Sequence, residues 1–266
     1  MRTWATSTRA ACSSSPPSKV HTVRGTAPLT PREGTPHSHL WHGMPSLLII
    51  TDAHRARHAS HNHSHTMTVI FDFGGVLVDW NQRYYYRQYF NDDERMEYFL
   101  SHVLTNEWNL ENDRGRPYSE GVRLLCAQYP EWREAIEAFP THWPEMLHAA
   151  KPEGVALLRE LKAKGYKLYG LTNWSAENIG IAYGRYDFFS LFDGIVVSGI
   201  ERQVKPEPQI YHTLLDRYNL QADDCVFIDD NAANIATACR LGIHGVLYDD
   251  IHNVRAQLRQ LLGDDI

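Results

Sequence analysis

From residue 69 onward the apolar residues fall into two kinds of run. Val69, Ile70 and Phe71 are continuously apolar, as are most of YKLYGLT (166–172), GIVVS (194–198), CVFI (225–228) and HGVLY (244–248). Short continuous runs of this kind predict strands covered on both faces. Between them, EGVALLRELKAKG (153–165) and EPQIYHTLLDRY (207–218) carry apolar residues at helical spacing, and Gly165 ends the first. Further helices are expected to begin near Ser175, after Asp230, and after the last strand. Strand and helix in turn predict an α/β fold, a doubly wound parallel sheet with helices on both faces.

The pattern differs between Trp80 and Pro152, where no strand-like alternation is visible. NDDERMEYFLSHV (91–103) opens with acids suited to a helix N-terminus, and GVRLLCAQY (121–129) follows Ser119-Glu120. Aromatic residues are dense here: Tyr84, Tyr85, Tyr86, Tyr89, Phe90, Trp108, Trp132 and Trp143. They are expected to form a helix-packing core, with a few lining the roof of a pocket. An all-helical insert at this place sits where a lid belongs, above the carboxyl end of the first strand. ENDRGRPYSEG (111–121) is turn-rich and polar, and reads as a solvated loop.

Residues 1–66 follow neither pattern. They are rich in Ser, Thr, Pro, Arg and His, and hold nine of the fifteen histidines, including the alternation His61, His63, His65. Metal binding and a transit peptide are two readings of this segment. A disordered tail, or a start codon placed too far upstream of Met67, is preferred. The apolar stretch from Leu47 to Ile50 is too short to span a membrane.

The formal charge of −6 conceals an asymmetry, because residues 1–66 carry +5 and the remainder −11. An acidic body argues against nucleic acid as the main partner, since phosphate backbones need basic surface, although a local basic spot can still hold a small phosphate. Cys12, Cys126, Cys225 and Cys239 lack CxxC spacing, which suits a reducing cytoplasm.

The candidate chemistry lies where the apolar runs stop. Asp72 ends the first run and is followed at once by Phe73-Gly74-Gly75; Thr172-Asn173 and Asp229-Asp230 end two others; Lys205 precedes a helix. In a parallel sheet these ends share one edge, where open α/β sheets bind ligands. Converging carboxylates at Asp72 and Asp230 would repel unless a hard cation sat between them, and Mg²⁺ is the expected ion. Lys205 and Thr172 supply a charge and a hydroxyl for phosphate oxygens. Asp72 is then a nucleophile towards phosphorus, through an aspartyl-phosphate that water cleaves.

FDFGGVLVDW (71–80), Thr172, Lys205 and FIDDNAANI (227–235), in this order, resemble the haloacid dehalogenase superfamily with a helical cap. The wording is most similar to its bacterial sugar-phosphatase branch, which includes glucose-1-phosphatase-like enzymes. The resemblance implies a Rossmann-like core of residues 67–79 and 151–266, a cap of residues 80–150, and residues 1–66 outside both. It implies Asp72 and Lys205 as catalytic residues. Phosphate would be bound by Thr172, Asn173 and Lys205, and Mg²⁺ by Asp72, the Gly74 carbonyl, Asp229 and Asp230, with Asp230 the direct ligand of the pair. The substrate would be a small phosphorylated metabolite, with neither nucleic acid nor membrane as partner.

One position departs from the family's phosphatases, which place a second aspartate two residues after the nucleophile as general acid and base. Here it is Gly74. A leaving oxygen must then take its proton from water, the substrate or a cap residue such as Asp113, and turnover is expected to depend steeply on leaving-group acidity. A 2-haloacid dehalogenase is an alternative, since halide leaves without a proton, although dehalogenases usually lack the acid pair. A phospho-ligand-binding protein of low turnover is another.

Overall fold

The structure is a computed structural model that describes residues 67–264 and 266. The expectations for residues 1–66 lie outside the described residues. Among the latter no helix is long and apolar enough to cross a membrane.

The strands are β1 (Thr68–Phe71), β2 (Val78–Trp80), β3 (Leu147–Ala150), β4 (Lys167–Thr172), β5 (Gly194–Val197), β6 (Cys225–Asp229) and β7 (His244–Leu247). Five of them form a sheet in the order β5-β4-β1-β6-β7, and every pair is parallel. The four residues of β1 are all buried, which is why the run is apolar without alternation. Phe71 lies level with Gly170 of β4 and Ile228 of β6, so residues just past these points share the carboxyl edge.

The helices of the first half are α1 (Arg83–Phe90), α2 (Asp93–His102), α3 (Asn106–Asp113), α4 (Tyr118–Gln128) and α5 (Arg133–Met146). Side chains close the open amides of two of them: Asp92 accepts from Arg95 N at 3.0 Å, and Thr105 from Trp108 N at 3.2 Å. Their core is aromatic as expected. Tyr86, Phe99 and Phe139 are fully buried, and the Tyr86 hydroxyl donates to the Ala135 carbonyl at 2.8 Å.

The second half adds α6 (Pro152–Ala163), α7 (Ile179–Arg185), α8 (Ser198–Glu201), α9 (Pro208–Tyr218), α10 (Ala232–Arg240) and α11 (Ile251–Leu262). Proline occupies the first position of α6 and α9, where a missing N–H costs nothing. Gly154 in α6 is forced by close approach, because a Cβ there would lie 2.0 Å from the Val76 carbonyl oxygen.

Three sequence expectations need correction. The helical segment is bracketed by an antiparallel pair, β2 with β3, that the absence of alternation concealed. The helix expected near Ser175 begins at Ile179. Ser175 makes a local turn instead, its hydroxyl accepting from Glu177 N at 3.2 Å. Finally, residues 111–121 are not a solvated loop: they end α3 and begin α4, and Asn112 is completely buried.

Candidate active site

Strand geometry explains the meeting of the polar residues. Asp72 follows β1 directly, Thr172 is the last residue of β4 and Asp229 the last of β6. Since β1 lies between β4 and β6, Asp72 emerges between the other two.

Asp72 Oδ1 accepts from Phe73 N at 2.7 Å and pairs with Lys205 Nζ at 2.8 Å. Lys205 Nζ also donates to Asp229 Oδ2 at 2.7 Å, and its side chain is only 1% exposed. Two of the three ammonium protons are thereby used, leaving one for a ligand. Neighbouring carboxylates hold the Lys205 ammonium above its ordinary range in spite of burial, which acts the other way. Burial pushes the Asp72 carboxyl up to about 7 against the pull of Lys205, with Asp229 and Asp230 adding repulsion. Burial is also the main cause of the upward shift of Asp230, with Asp229 next.

Asp229 and Asp230 have different surroundings. Asp229 is fully buried, and both its oxygens are engaged, by Lys205, by Asn231 N at 2.7 Å and by Asn234 Nδ2 at 3.0 Å. Asp230 is exposed and its carboxylate lies against Gly75, where a Cβ would be 1.8 Å from Oδ2. Asp72, Asp229 and Asp230 offer ligand atoms within 4.8 Å of one another. Three hard oxygen donors this close together fit a divalent cation such as Mg²⁺.

Thr172 is 1% exposed, and its Oγ1 has no hydrogen-bond partner. A buried orphan hydroxyl at a strand end is a donor awaiting a ligand. Asn173 has another task here. Its Oδ1 accepts from Lys205 N at 2.8 Å and its Nδ2 donates to the Lys205 carbonyl at 2.9 Å, clamping the lysine backbone.

Gly74 and Gly75 differ as well. Gly75 has φ of +73°, whereas Gly74 is not left-handed and a Cβ there would meet nothing within 4 Å. Gly75→Ala should therefore cost about 1 kcal/mol or more in backbone strain and displace Asp230. A lower melting temperature together with weaker magnesium binding, followed by calorimetry, is the expected result.

Beside Gly74 lies a cavity of about 140 Å³ lined by Trp80, Trp143, Trp174, Asn109, Asp113 and Asn173. The indole N–H groups of Trp80 and Trp174 and Asn109 Oδ1 are buried without partners. Three residues near the site escaped the sequence reading. Asn234 lies five positions after Asp229, where the first turn of α10 returns its amide to the strand end. Lys151 donates through Nζ to the Gly75 carbonyl, and Ser198 joins α8 to Trp174 N at 2.8 Å. Asn234 stood within FIDDNAANI and Ser198 at the end of GIVVS, but neither had a role legible there.

A parallel sheet whose strand ends gather carboxylates and a buried lysine beneath helices defines a capped, doubly wound hydrolase. The chain belongs to the haloacid dehalogenase-like hydrolase family, whose model matches residues 66–242. It is 28% identical over 197 residues to the sesquiterpene phosphatase astK of Aspergillus oryzae, covering 73% of this chain and 95% of that protein. Identity to a phosphorylated carbohydrates phosphatase of Thermotoga maritima is 25% over 193 residues, 70% of this chain and 86% of the other. A magnesium complex of a HAD family enzyme from Bacteroides thetaiotaomicron shares the fold with TM-score 0.55 and 18% identity, covering 69% of this chain and 93% of that one.

Proposed function

We propose that the protein is a Mg²⁺-dependent phosphatase of small, hydroxylated phosphate esters, sugar phosphates among them, acting through an aspartyl-phosphate on Asp72. The observation that carries this reading is the cluster of Asp72, Asp229 and Asp230 around the buried ammonium of Lys205. A bare carboxylate cluster repels a phosphate dianion, so the arrangement makes sense with a cation bound. The Asp72 and Asp230 carboxylates and the Gly74 carbonyl would hold magnesium, with Asp229 beside them, and the ion would offset the charge of the phosphate.

Both bonds to Asp72 fall on Oδ1, which leaves Oδ2 to attack phosphorus. As the new P–O bond forms, the bond from phosphorus to the leaving oxygen breaks, and that oxygen takes up a proton. Water then attacks phosphorus, the acyl phosphate bond breaks, and Asp72 returns as a carboxylate with inorganic phosphate released. Lys205 and Thr172 Oγ1 donate to the phosphoryl oxygens, and Asn173 keeps Lys205 in place. Residues 67–79 and 151–266 act as the core in this reading and residues 80–150 as the cap.

The cavity supports a small alcohol. At about 140 Å³ it is well below the ~300 Å³ at which pockets for drug-sized ligands begin, and a second cavity of about 550 Å³, lined by Gly75, Lys151 and Asp230, shares Gly74 and Trp80 with it. Tryptophan walls with unpartnered N–H groups suit a ring that has both apolar faces and hydroxyls. Cys126, Cys225 and Cys239 are free, in keeping with a reducing, cytoplasmic setting.

Chelation tests the reading. Hydrolysis of p-nitrophenyl phosphate should vanish in chelator and return with Mg²⁺, and saturating Mg²⁺ should raise stability by about 2.7 kcal/mol at a hundredfold excess over Kd. Release of halide from 2-chloropropionate by metal-free protein, without phosphate release, would replace it with the dehalogenase reading.

A further inference from the structure

Gly74 leaves open space where the family's phosphatases carry a second aspartate, and the carboxyl that shares that space is on another element. Asp113, the last residue of α3, lines the cavity together with Gly74. We propose that Asp113 is the general acid of the reaction, delivering from the helical insert the proton that the leaving oxygen needs. The proposal rests on the phosphatase reading above.

Core loops fix the position of Asp113. Its backbone carbonyl accepts from Ser198 Oγ at 2.6 Å, and Ser198 Oγ in turn accepts from Trp174 N at 2.8 Å. The residues next to it are tied down as well: Arg114 pairs with Glu207 at 2.7 Å, and Glu177 accepts from Tyr118 N at 3.0 Å. These contacts join the end of α3 to the segment that follows β4, through Trp174 and Glu177, and to Ser198 and Glu207. A proton donor must be held to within hydrogen-bond tolerance, and anchoring on both sides achieves this.

The surroundings of the carboxyl suit an acid that works near neutrality. It is half-buried beside three tryptophans, and burial pushes it up to about 7 while the Ser175 N–H pulls it down. Asn109 Nδ2 donates to its Oδ2 at 3.1 Å, a bond compatible with either protonation state of the other oxygen. Among the titratable groups around it, Tyr118 is buried and held neutral, and Glu177 is bonded to Tyr118 N. Arg114 is engaged by Glu111 and Glu207, and Arg116 by Asn112 and the Trp108 carbonyl. No ion pair to Asp113 appears among the described residues, so no fixed cation holds its proton off.

The step balances simply. Asp113 begins protonated; as the bond from phosphorus to the leaving oxygen breaks, the proton passes to that oxygen and Asp113 becomes a carboxylate. The same carboxylate can then take a proton from the water that cleaves the acyl phosphate, which restores the acid.

Leaving-group dependence distinguishes this role from a structural one. Single-turnover rates with Mg²⁺ would be measured for ethyl phosphate, 2,2,2-trifluoroethyl phosphate and p-nitrophenyl phosphate, the first two nearly equal in size. Asp113→Asn should slow ethyl phosphate about 10² to 10⁴-fold, trifluoroethyl phosphate less, and p-nitrophenyl phosphate less than about threefold. The wild-type rate with ethyl phosphate should fall above an apparent pKa near 7, where Asp113 loses its proton, and the variant should lack that limb. Gly74→Asp added to Asp113→Asn should recover ethyl phosphate cleavage, since the space at Gly74 accepts a side chain. Equal losses on all three esters, or no loss on ethyl phosphate, would overturn the assignment while leaving the phosphatase reading intact. A wild-type protein that cleaves none of the esters would take down both.

Discussion

Asp72→Asn should lower turnover of any phosphate ester by about three orders of magnitude or more while the protein stays folded. The amide keeps the shape and can still accept from Phe73 N, but it lacks the anion that attacks phosphorus. Retention of more than about a tenth of wild-type activity would rule out covalent catalysis by this residue. Stability gives an independent check. The folded Asp72 carboxyl is raised to about 7, so in metal-free protein its ionisation costs stability above that pH and nothing below about 4. Asp72→Asn removes the cost. Its melting temperature in chelator should equal or exceed that of the wild type at pH 8, and the difference should close as the pH falls towards 4.

Lys205→Met should have the largest structural effect. The methionine fills much the same volume but leaves Asp72 and Asp229 facing each other without the ammonium that lies 2.8 and 2.7 Å from them. Removing one partner of a buried ion pair typically costs about 3–5 kcal/mol, a large part of the stability of an ordinary domain. Chemical denaturation should reveal that loss, and phosphatase activity should disappear with it. Magnesium should recover part of the stability, because a cation among the three carboxylates offsets some of the same repulsion. A variant as stable as the wild type in chelator would mean that the carboxylates are not held by Lys205.

Much of this arrangement was legible in the sequence because burial on both faces leaves a plain mark. β1, β4, β5, β6 and β7 each appear as a short apolar run, and the polar residues that end β4 and β6, like Asp72 just past β1, occupy one edge. Less legible was whatever depended on a partner distant in sequence. β3 is four residues long and directly follows α5, a helix with Pro140 and Pro144 inside it, and nothing local marks the change. Ser175 is a good helix-start residue, but its hydroxyl closes a turn and the helix begins later, at Ile179. Asn173 reads as a ligand to phosphate because it adjoins Thr172; that its side chain also bonds the backbone of Lys205 could not be read from the sequence. Asp113 stood in the sequence only as one of several possible proton sources, because its company masked how it is held. Charged and turn-forming neighbours describe a surface loop until Ser198, Glu177 and Glu207 are seen to draw that stretch onto the core.

The β2–β3 pair has a consequence on the scale of descent rather than of turnover. The chain leaves the sheet region for the helices and returns through two strands that lie side by side, with Asn81 N donating to the Met146 carbonyl and Lys151 N to the Leu77 carbonyl, at 2.9 and 2.8 Å. Entry and exit are therefore a fixed, short distance apart, whatever length or sequence lies between them. A lineage can lengthen, shorten or replace the intervening helices without disturbing the order of the parallel strands. Part of the cavity wall (Asn109, Asp113 and Trp143) and the strand-end carboxylates thus lie on separate stretches of the gene, and the two can diverge at different rates.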